Sequence, residues 1–173
     1  GDDSYAIGNN NKIAAGTTEA FILGNNVNLA AGANRAVALG HNTGVTVADG
    51  VALGAGSVAS VAGGAAGYNP TALASDIAAV QATNSTTLGA VSVGTGVAGG
   101  NRQIVNVAAG TIDSDAVNVA QLKALGNSPL SFVGDSGTKV DRKLGETLNV
   151  VGGASGTLTD GNIGVVANGT DTL

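Results

Sequence analysis

An all-β-dominated chain built as a narrow β-solenoid is what the sequence predicts, and three observations carry that prediction. A five-residue unit ending in glycine recurs five times in the first hundred residues, a second short apolar unit lies between most consecutive copies, and the side chains are too small for an ordinary globular core. The 173 residues include 29 Gly, two Tyr and two Phe, with no Cys, Met or Trp. Large aromatic and thioether groups normally supply much of a buried core. Leu, Ile, Val and Phe still make up about a quarter of the chain, above the level of disordered sequences, so the chain should fold in a shape that needs little side-chain volume.

The repeated units are Ser4-Tyr5-Ala6-Ile7-Gly8, Ala20-Phe21-Ile22-Leu23-Gly24, Ala36-Val37-Ala38-Leu39-Gly40, Gly50-Val51-Ala52-Leu53-Gly54 and Ala90-Val91-Ser92-Val93-Gly94. Their glycines fall 16, 16, 14 and 40 residues apart. Between them lie Lys12-Ile13-Ala14-Ala15-Gly16, Asn28-Leu29-Ala30-Ala31-Gly32 and Val45-Thr46-Val47-Ala48-Asp49-Gly50. Each repeat reads as two short strands and two turns. Large apolar residues stand one and three places before each glycine, and small ones mostly alternate with them. Period two puts the two sets on opposite faces, and stacking at about 4.8 Å lines each set into a column. One face fills a core and the other packs against something. Asn9, Asn10, Asn25, Asn26, His41 and Asn42 supply the turn chemistry of tight corners. Such a stack buries too little by itself, so an oligomer is expected.

Residues 57–89 interrupt the period with a Gly/Ala-rich lead, the turn Gly67-Tyr68-Asn69-Pro70, and Ser75–Gln81, which can form one or two helical turns. This is an insert that protrudes before the last repeat. Arg102–Gly110 alternates as a strand. In the stretch that follows, Val119, Leu122 and Leu125 give one apolar helical stripe, Asp113 and Asp115 flank the helix start, and Gly126 is a stop. A helix this short is marginal alone, and a coiled-coil seam shared with partner chains would stabilise it. From Ser128 onward Ala nearly vanishes, and 130–134, 138–140, 147–153 and 162–166 read as four strands between Gly/Asp turns.

These segments resemble the trimeric autotransporter adhesins. The Ala-Val-Ala-Leu-Gly repeats resemble the YadA-like head, and Thr87–Gly94 its final repeat after a head insert. Arg102–Gly110 with Asp115–Leu122 resembles the neck, the most specific motif in the chain. Lys143–Val150 and Asn162–Gly169 are similar to the GIN connector. The resemblance implies an obligate parallel homotrimer: a left-handed parallel β-roll head over 1–97 with its insert at 57–89, a neck over 98–118, a short coiled coil over 119–127, and a β-prism-like connector over 128–173. It also implies that Arg102, Gln103, Ile104, Asn106, Val107, Gly110, Asp115, Ala116, Val117, Asn118, Gln121 and Leu122 form the structural neck. Two features depart from the family pattern. The first two spacings are long, and Ile22 replaces a small residue, which implies a wider coil or a looser contact there.

Other chemistries find little support. Twelve acidic residues against seven Lys+Arg give a net charge of −5, without the basic stripe that nucleic acid requires. One His and no Cys supply neither a thiolate nor a multi-histidine metal site, and no nucleophile, base and orienting group can be assembled. Gly94-Thr95-Gly96-Val97-Ala98-Gly99 matches the dinucleotide fingerprint, but its continuation alternates as a strand instead of opening a helix, so it reads as a loop. His41 reads as a turn residue. Lys139, Arg142 and Lys143, the one basic cluster, read as a solvated edge or interchain salt bridge. Asn84-Ser85-Thr86 and Asn168-Gly169-Thr170 match the N-glycosylation pattern, which usually carries nothing in a bacterial surface protein. Spacings of 16 and 14 do not divide into the six-residue sides of a hexapeptide-repeat acyltransferase, and no regular Thr array marks an ice-binding surface.

The expectation is a non-enzymatic surface adhesin module without cofactor, metal or nucleic-acid partner. It attaches a bacterium to host cells or extracellular matrix as a homotrimer, with export signal and membrane anchor lying outside this chain. The alternative is a connector that only spaces other heads. No receptor-binding residues can be read.

Overall fold

The computed structural model of the protein describes residues 2–150 and 167–170. The chain divides into two units, Gly1–Asn106 and Val107–Leu173. In the first, β1 (Tyr5–Ile7), β3 (Phe21–Leu23), β5 (Val37–Leu39), β7 (Val51–Leu53) and β9 (Val91–Ser92) stack in that order as one parallel sheet. Their alternates β2 (Lys12–Ile13), β4 (Asn28–Leu29), β6 (Gly44–Val45) and β8 (Val58–Ala59) stack as a second parallel sheet. The chain crosses from one sheet to the other in each repeat, which makes the predicted parallel β-solenoid. Registry follows the repeats: Tyr5 lies over Phe21, Phe21 over Val37, Val37 over Val51 and Val51 over Val91.

The structure settles which face is inside. Ile22, Ala38 and Ala52, the middle residues of their strands, are fully buried, opposite Leu29, Val45 and Ala59 of the other sheet. The larger residues on either side of each point outward. A coil of two strands and two tight corners has room for the small set only, so volume decides what alternation leaves open.

Coil width tracks what it encloses. Seven residues separate Tyr5 from Lys12, Phe21 from Asn28, Val37 from Gly44 and Val51 from Val58, so the two extra residues of the long repeats lie in the return connections after β2 and β4. The wide coil holds Ile22 with Ala20, Val27 and Leu29, all at 0–1% exposure. In the next coil, whose return connection after β6 is two residues shorter, the same places hold Ala38, Ala36, Thr43 and Val45. The contact at Ile22 is therefore wider and not looser.

The corners are built from left-handed residues. Asn10, Asn26 and Asn42 sit at φ 57°, 57° and 54°, and Asn10 Nδ2 donates to Asn26 Oδ1 at 2.7 Å. His41 lies in the same corner, where its carbonyl accepts the Gly56 N–H at 2.8 Å. At the other corner Glu19, Arg35 and Asp49 are also left-handed. There the Arg35 guanidinium grips both carboxylate oxygens of Asp49 at 2.6 and 2.7 Å and holds that carboxyl below its ordinary range. Gly8, Gly24 and Gly40 form a column whose next layer is so close that a Cβ on Gly24 would lie 2.0 Å from the Gly40 carbonyl oxygen. These glycines are demanded by contact between layers.

The solenoid includes Val58–Ala59, so the excursion from the stack begins after Ala59 and not at 57. It contains α1 (Ala74–Ala82), where the sequence predicts one or two helical turns.

In the second unit, α2 (Val119–Asn127) is followed by β10 (Leu130–Phe132), antiparallel to β12 (Val140–Arg142). Between them lies β11 (Gly137–Thr138), parallel to β13 (Ala167–Asn168). Three expectations are corrected in these two units. Arg102–Gly110 is not a regular strand; it alternates but has no strand paired with it among the described residues. Asp113 and Asp115 do not sit at the helix start, because Asn118 caps α2, and the helix passes through Gly126 to Asn127. Within 147–150 there is only an isolated bridge at Asn149, and the expected strand residues 151–153 and 162–166 lie outside the described residues.

Candidate functional site

Two columns of large apolar side chains stand on the outer face of the five-stranded sheet. One runs Tyr5, Phe21, Val37, Val51, Val91 and the other Ile7, Leu23, Leu39, Leu53, as the strand register requires. Tyr5 is 69% exposed, Ile7 58%, Leu23 49% and Val91 65%. Isolated exposed apolar residues are ordinary, but a continuous stacked array marks a contact surface.

At the end of the stack Arg102 closes the last layer. Its guanidinium donates to Ser57 Oγ at 3.0 Å, to the Val93 carbonyl at 2.7 Å and to the Ala55 carbonyl. It lies against Gly54, where a Cβ would meet it at 3.2 Å. Gln103 and Ile104 follow in the irregular stretch, Ile104 well exposed, and Asn106 is left-handed at φ 60°.

A second cluster of hydrogen bonds gathers around the start of α2. Asn118 Oδ1 accepts the Gln121 N–H at 3.1 Å, while Gln121 Oε1 accepts the Asn118 N–H at 3.2 Å, a reciprocal capping box. Gln121 also bonds both backbone groups of Gly110, and Asn118 Nδ2 donates to the Val107 carbonyl at 3.2 Å. Asp115 Oδ2 accepts the Thr111 and Ile112 N–H groups at 2.8 and 3.2 Å, together with the Thr111 hydroxyl. Those donors stabilise the carboxylate and hold Asp115 below its ordinary range. A Cβ on Gly110 would lie 2.9 Å from Asp115 Cβ and 3.1 Å from the Ala116 carbonyl oxygen, so the turn is tight. Val117, Val119, Leu122 and Leu125 are all largely exposed.

An apolar cleft of about 710 Å³ lies beside that helix, between Leu122 and Leu125 on one side and Leu130, Phe132, Leu144 and Leu148 on the other. Two members of the basic cluster are paired within the chain: Lys139 with Asp141 at 2.9 Å and Arg142 with Glu146 at 3.6 Å. The Thr170 carbonyl also accepts from Arg142. Gly94–Gly99 turns back through Thr95 N–H to the Gly100 carbonyl at 3.1 Å, and an irregular stretch follows it. Among the described residues no group of three His, Cys, Asp or Glu could hold a metal, and no helix is long and apolar enough to cross a membrane.

Sequence reasoning placed Asn118 and Gln121 in the neck by resemblance but did not read their mutual capping, although the Asn-x-x-Gln spacing signals it. The Arg35–Asp49 pair was also missed. Its signal is that the two residues occupy the same corner one 14-residue repeat apart.

A stacked solenoid with an outward apolar face, followed in the chain by a tightly hydrogen-bonded turn and a capped helix, defines a repeat protein. Comparison with known proteins narrows that class. Residues 103–143 match the family described as the coiled stalk of trimeric autotransporter adhesin. The chain is 47% identical over 105 residues to the trimeric autotransporter adhesin AtaA of Acinetobacter sp. (strain Tol 5), covering 60% of this chain and 3% of that protein. It is 54% identical over 77 residues to the autotransporter adhesin BadA of Bartonella henselae, covering 43% of this chain and 2% of the relative. The resemblance to trimeric autotransporter adhesins read from the repeats and the neck is thereby supported, and the chain spans only a few per cent of the length of the curated relatives it matches. Adhesins and their stalks are a non-enzymatic kind of protein.

Proposed function

We propose that the chain is a head, neck and connector segment of a homotrimeric bacterial surface adhesin, which binds host cells or extracellular matrix through many weak contacts presented at once. The observation that carries this reading is the double apolar column on the five-stranded sheet. Three copies facing one axis would bury the columns and add a shared core to the narrow one inside each solenoid. In this reading residues 1–97 are a left-handed β-roll head, 98–118 a collar between neighbouring chains, 119–127 a short coiled coil and 128–173 a GIN-like connector. The chain works at the cell surface, as part of an exported outer-membrane protein, without catalysis.

Sedimentation tests the assembly. Wild-type chain is expected as a trimer, and Leu23→Lys with Leu53→Lys is expected to shift it toward monomer. A stable, folded wild-type monomer would sink the reading. Binding of the trimer to immobilised collagen, fibronectin and laminin and to host cells tests the adhesive role. A spacer without its own ligand is the second reading, favoured by the match of 103–143 to a stalk family. A folded trimer that binds none of these surfaces selects it.

A further inference from the structure

We propose that the insert between β8 and β9 is a second contact between copies of this chain, lying on a neighbouring copy instead of standing free in solvent. The inference rests on the trimeric reading above and extends it to a segment that the solenoid itself does not need.

Helix α1 has nine residues, no buried side chain, and at its N-cap Leu73 no side-chain hydrogen bond. A helix of that length is marginal in water unless one face is packed. Residues 60–89 hold a single charged side chain, Asp76, and the hydroxyl of Thr71 already donates to it at 2.7 Å. Val61, Tyr68, Leu73, Ile77 and Leu88 are all exposed, Tyr68 at 88%. A segment that carries one charge in thirty residues and displays five large apolar groups shares the charge depletion of the buried centre of an interface.

Its anchorage indicates the occupant. The insert is tied at its base by Ala90 N–H to the Val61 carbonyl at 2.9 Å and by Gly64 N–H to the Ser85 carbonyl at 2.8 Å. Gly89 is pressed so near the solenoid backbone that a Cβ there would lie 2.5 Å from the Ala48 carbonyl oxygen. Immediately afterwards the chain enters β9, where Val91 is the last member of an outward column. The apolar surface of the insert thus runs along the chain directly into the face proposed to meet another copy. Apolar surface on both sides, with one charge in the insert that Thr71 already engages, fits a second copy of this chain better than a charged receptor.

The absence of cysteine makes the test clean. Tyr68→Cys, labelled with a benzophenone maleimide and irradiated as the full chain, is expected to give covalent dimers and trimers on a denaturing gel. Lys12→Cys, on the four-stranded sheet, is expected to give single chains. Cross-links confined to one chain, or none, in a protein that sediments as a trimer would overturn the inference and leave the trimer standing. A folded monomer would overturn both. If the labelled variant does not assemble, hydrogen exchange on unlabelled protein decides: α1 amides are expected to be protected about a hundredfold in the trimer. Exchange at the rate of an open peptide rejects the inference.

Discussion

Gly110 and Gln121, eleven residues apart, are paired through both ends of one carboxamide: the Gly110 N–H donates to Oε1 at 3.0 Å, and Nε2 donates to the Gly110 carbonyl at 2.9 Å. The side chain thus does for Gly110 what a neighbouring strand would do. Because Oε1 also accepts the Asn118 N–H at 3.2 Å, the same group ties the loop to the helix start. Three hydrogen bonds converge on this half-buried carboxamide, in a stretch with little regular secondary structure.

Replacing Gln121 by Leu keeps the bulk and removes these bonds. The expected cost is about 1–3 kcal/mol, from lost hydrogen bonds and unpaired backbone groups, read by denaturant unfolding at fixed protein concentration. Gln121→Glu is sharper. A carboxylate accepts from Gly110 and Asn118 but cannot donate to the Gly110 carbonyl, so the variant is destabilised near pH 7 and partly recovers when acid protonates it. Equal stability of Gln121→Glu and wild type at neutral pH would show that the Nε2 bond contributes nothing.

Acid should loosen the neighbouring turn in a defined direction. Asp115 is held below its ordinary value by the Thr111 and Ile112 N–H groups. A carboxyl lowered in the folded state contributes stability above its unfolded value, about 3.9, and loses it as pH falls through the lower folded value. The amide proton shifts of Thr111 and Ile112 are therefore expected to stay flat from pH 7 to about 5 and to titrate with a midpoint below 3.9. Asp141 and Glu146 are lowered in the same direction, so Asp115→Asn is the control. It should abolish the titration at these two amides, and a midpoint above 4 in wild type would contradict the geometry.

The glycine column separates steric from conformational need. Gly24→Ala would place a Cβ 2.0 Å from the backbone oxygen of Gly40, which cannot swing aside as a side chain can. Gly16 is left-handed at φ 79° with nothing within 4 Å of the added carbon. Gly24→Ala is expected to cost about 3–5 kcal/mol, in the range reserved for severe packing defects, and Gly16→Ala about 1–2 kcal/mol for a strained backbone. Thermal unfolding of the two variants beside wild type checks the order. The reverse order would mean that the layers are less close than their registry indicates.

Much of the solenoid was legible because repetition states it. Gly8, Gly24, Gly40 and Gly54 mark four successive layers, and the 40-residue gap to Gly94 marks the insert. Alternation could not say whether Phe21 and Leu23 or Ile22 faces inward, since period two only separates the sets. Total volume across the coil decides, and that depends on both sheets together. Arg102–Gly110 misled for a related reason. Its alternation reports two chemically different faces, but a strand also needs a neighbour, and none is supplied among the described residues. The start of α2 was misplaced because Asp113 and Asp115 carry an acidic cap-like pattern, whereas Asn118 closes a reciprocal box with Gln121, and Asp115 is already engaged by Thr111.

The correlation between repeat length and core volume yields the strictest test. Ile22 is fully buried in a wide coil, and its counterpart in the next coil, whose return connection is two residues shorter, is Ala38, also fully buried. Ile22→Ala removes three carbons from a place whose walls are backbone-paired to adjacent layers and cannot collapse freely. The expected loss is about 2–5 kcal/mol. Ala38→Ile adds the same carbons in that narrower coil, so the two sheets must be forced apart, at an expected cost of about 1–3 kcal/mol or more. The double variant conserves total volume but inverts its distribution. If coil width sets the capacity of each layer, the double variant is at least as destabilised as the worse single variant. Recovery toward wild-type stability in denaturant unfolding would mean that the layers share their volume and that the two extra residues of the long repeats have another purpose.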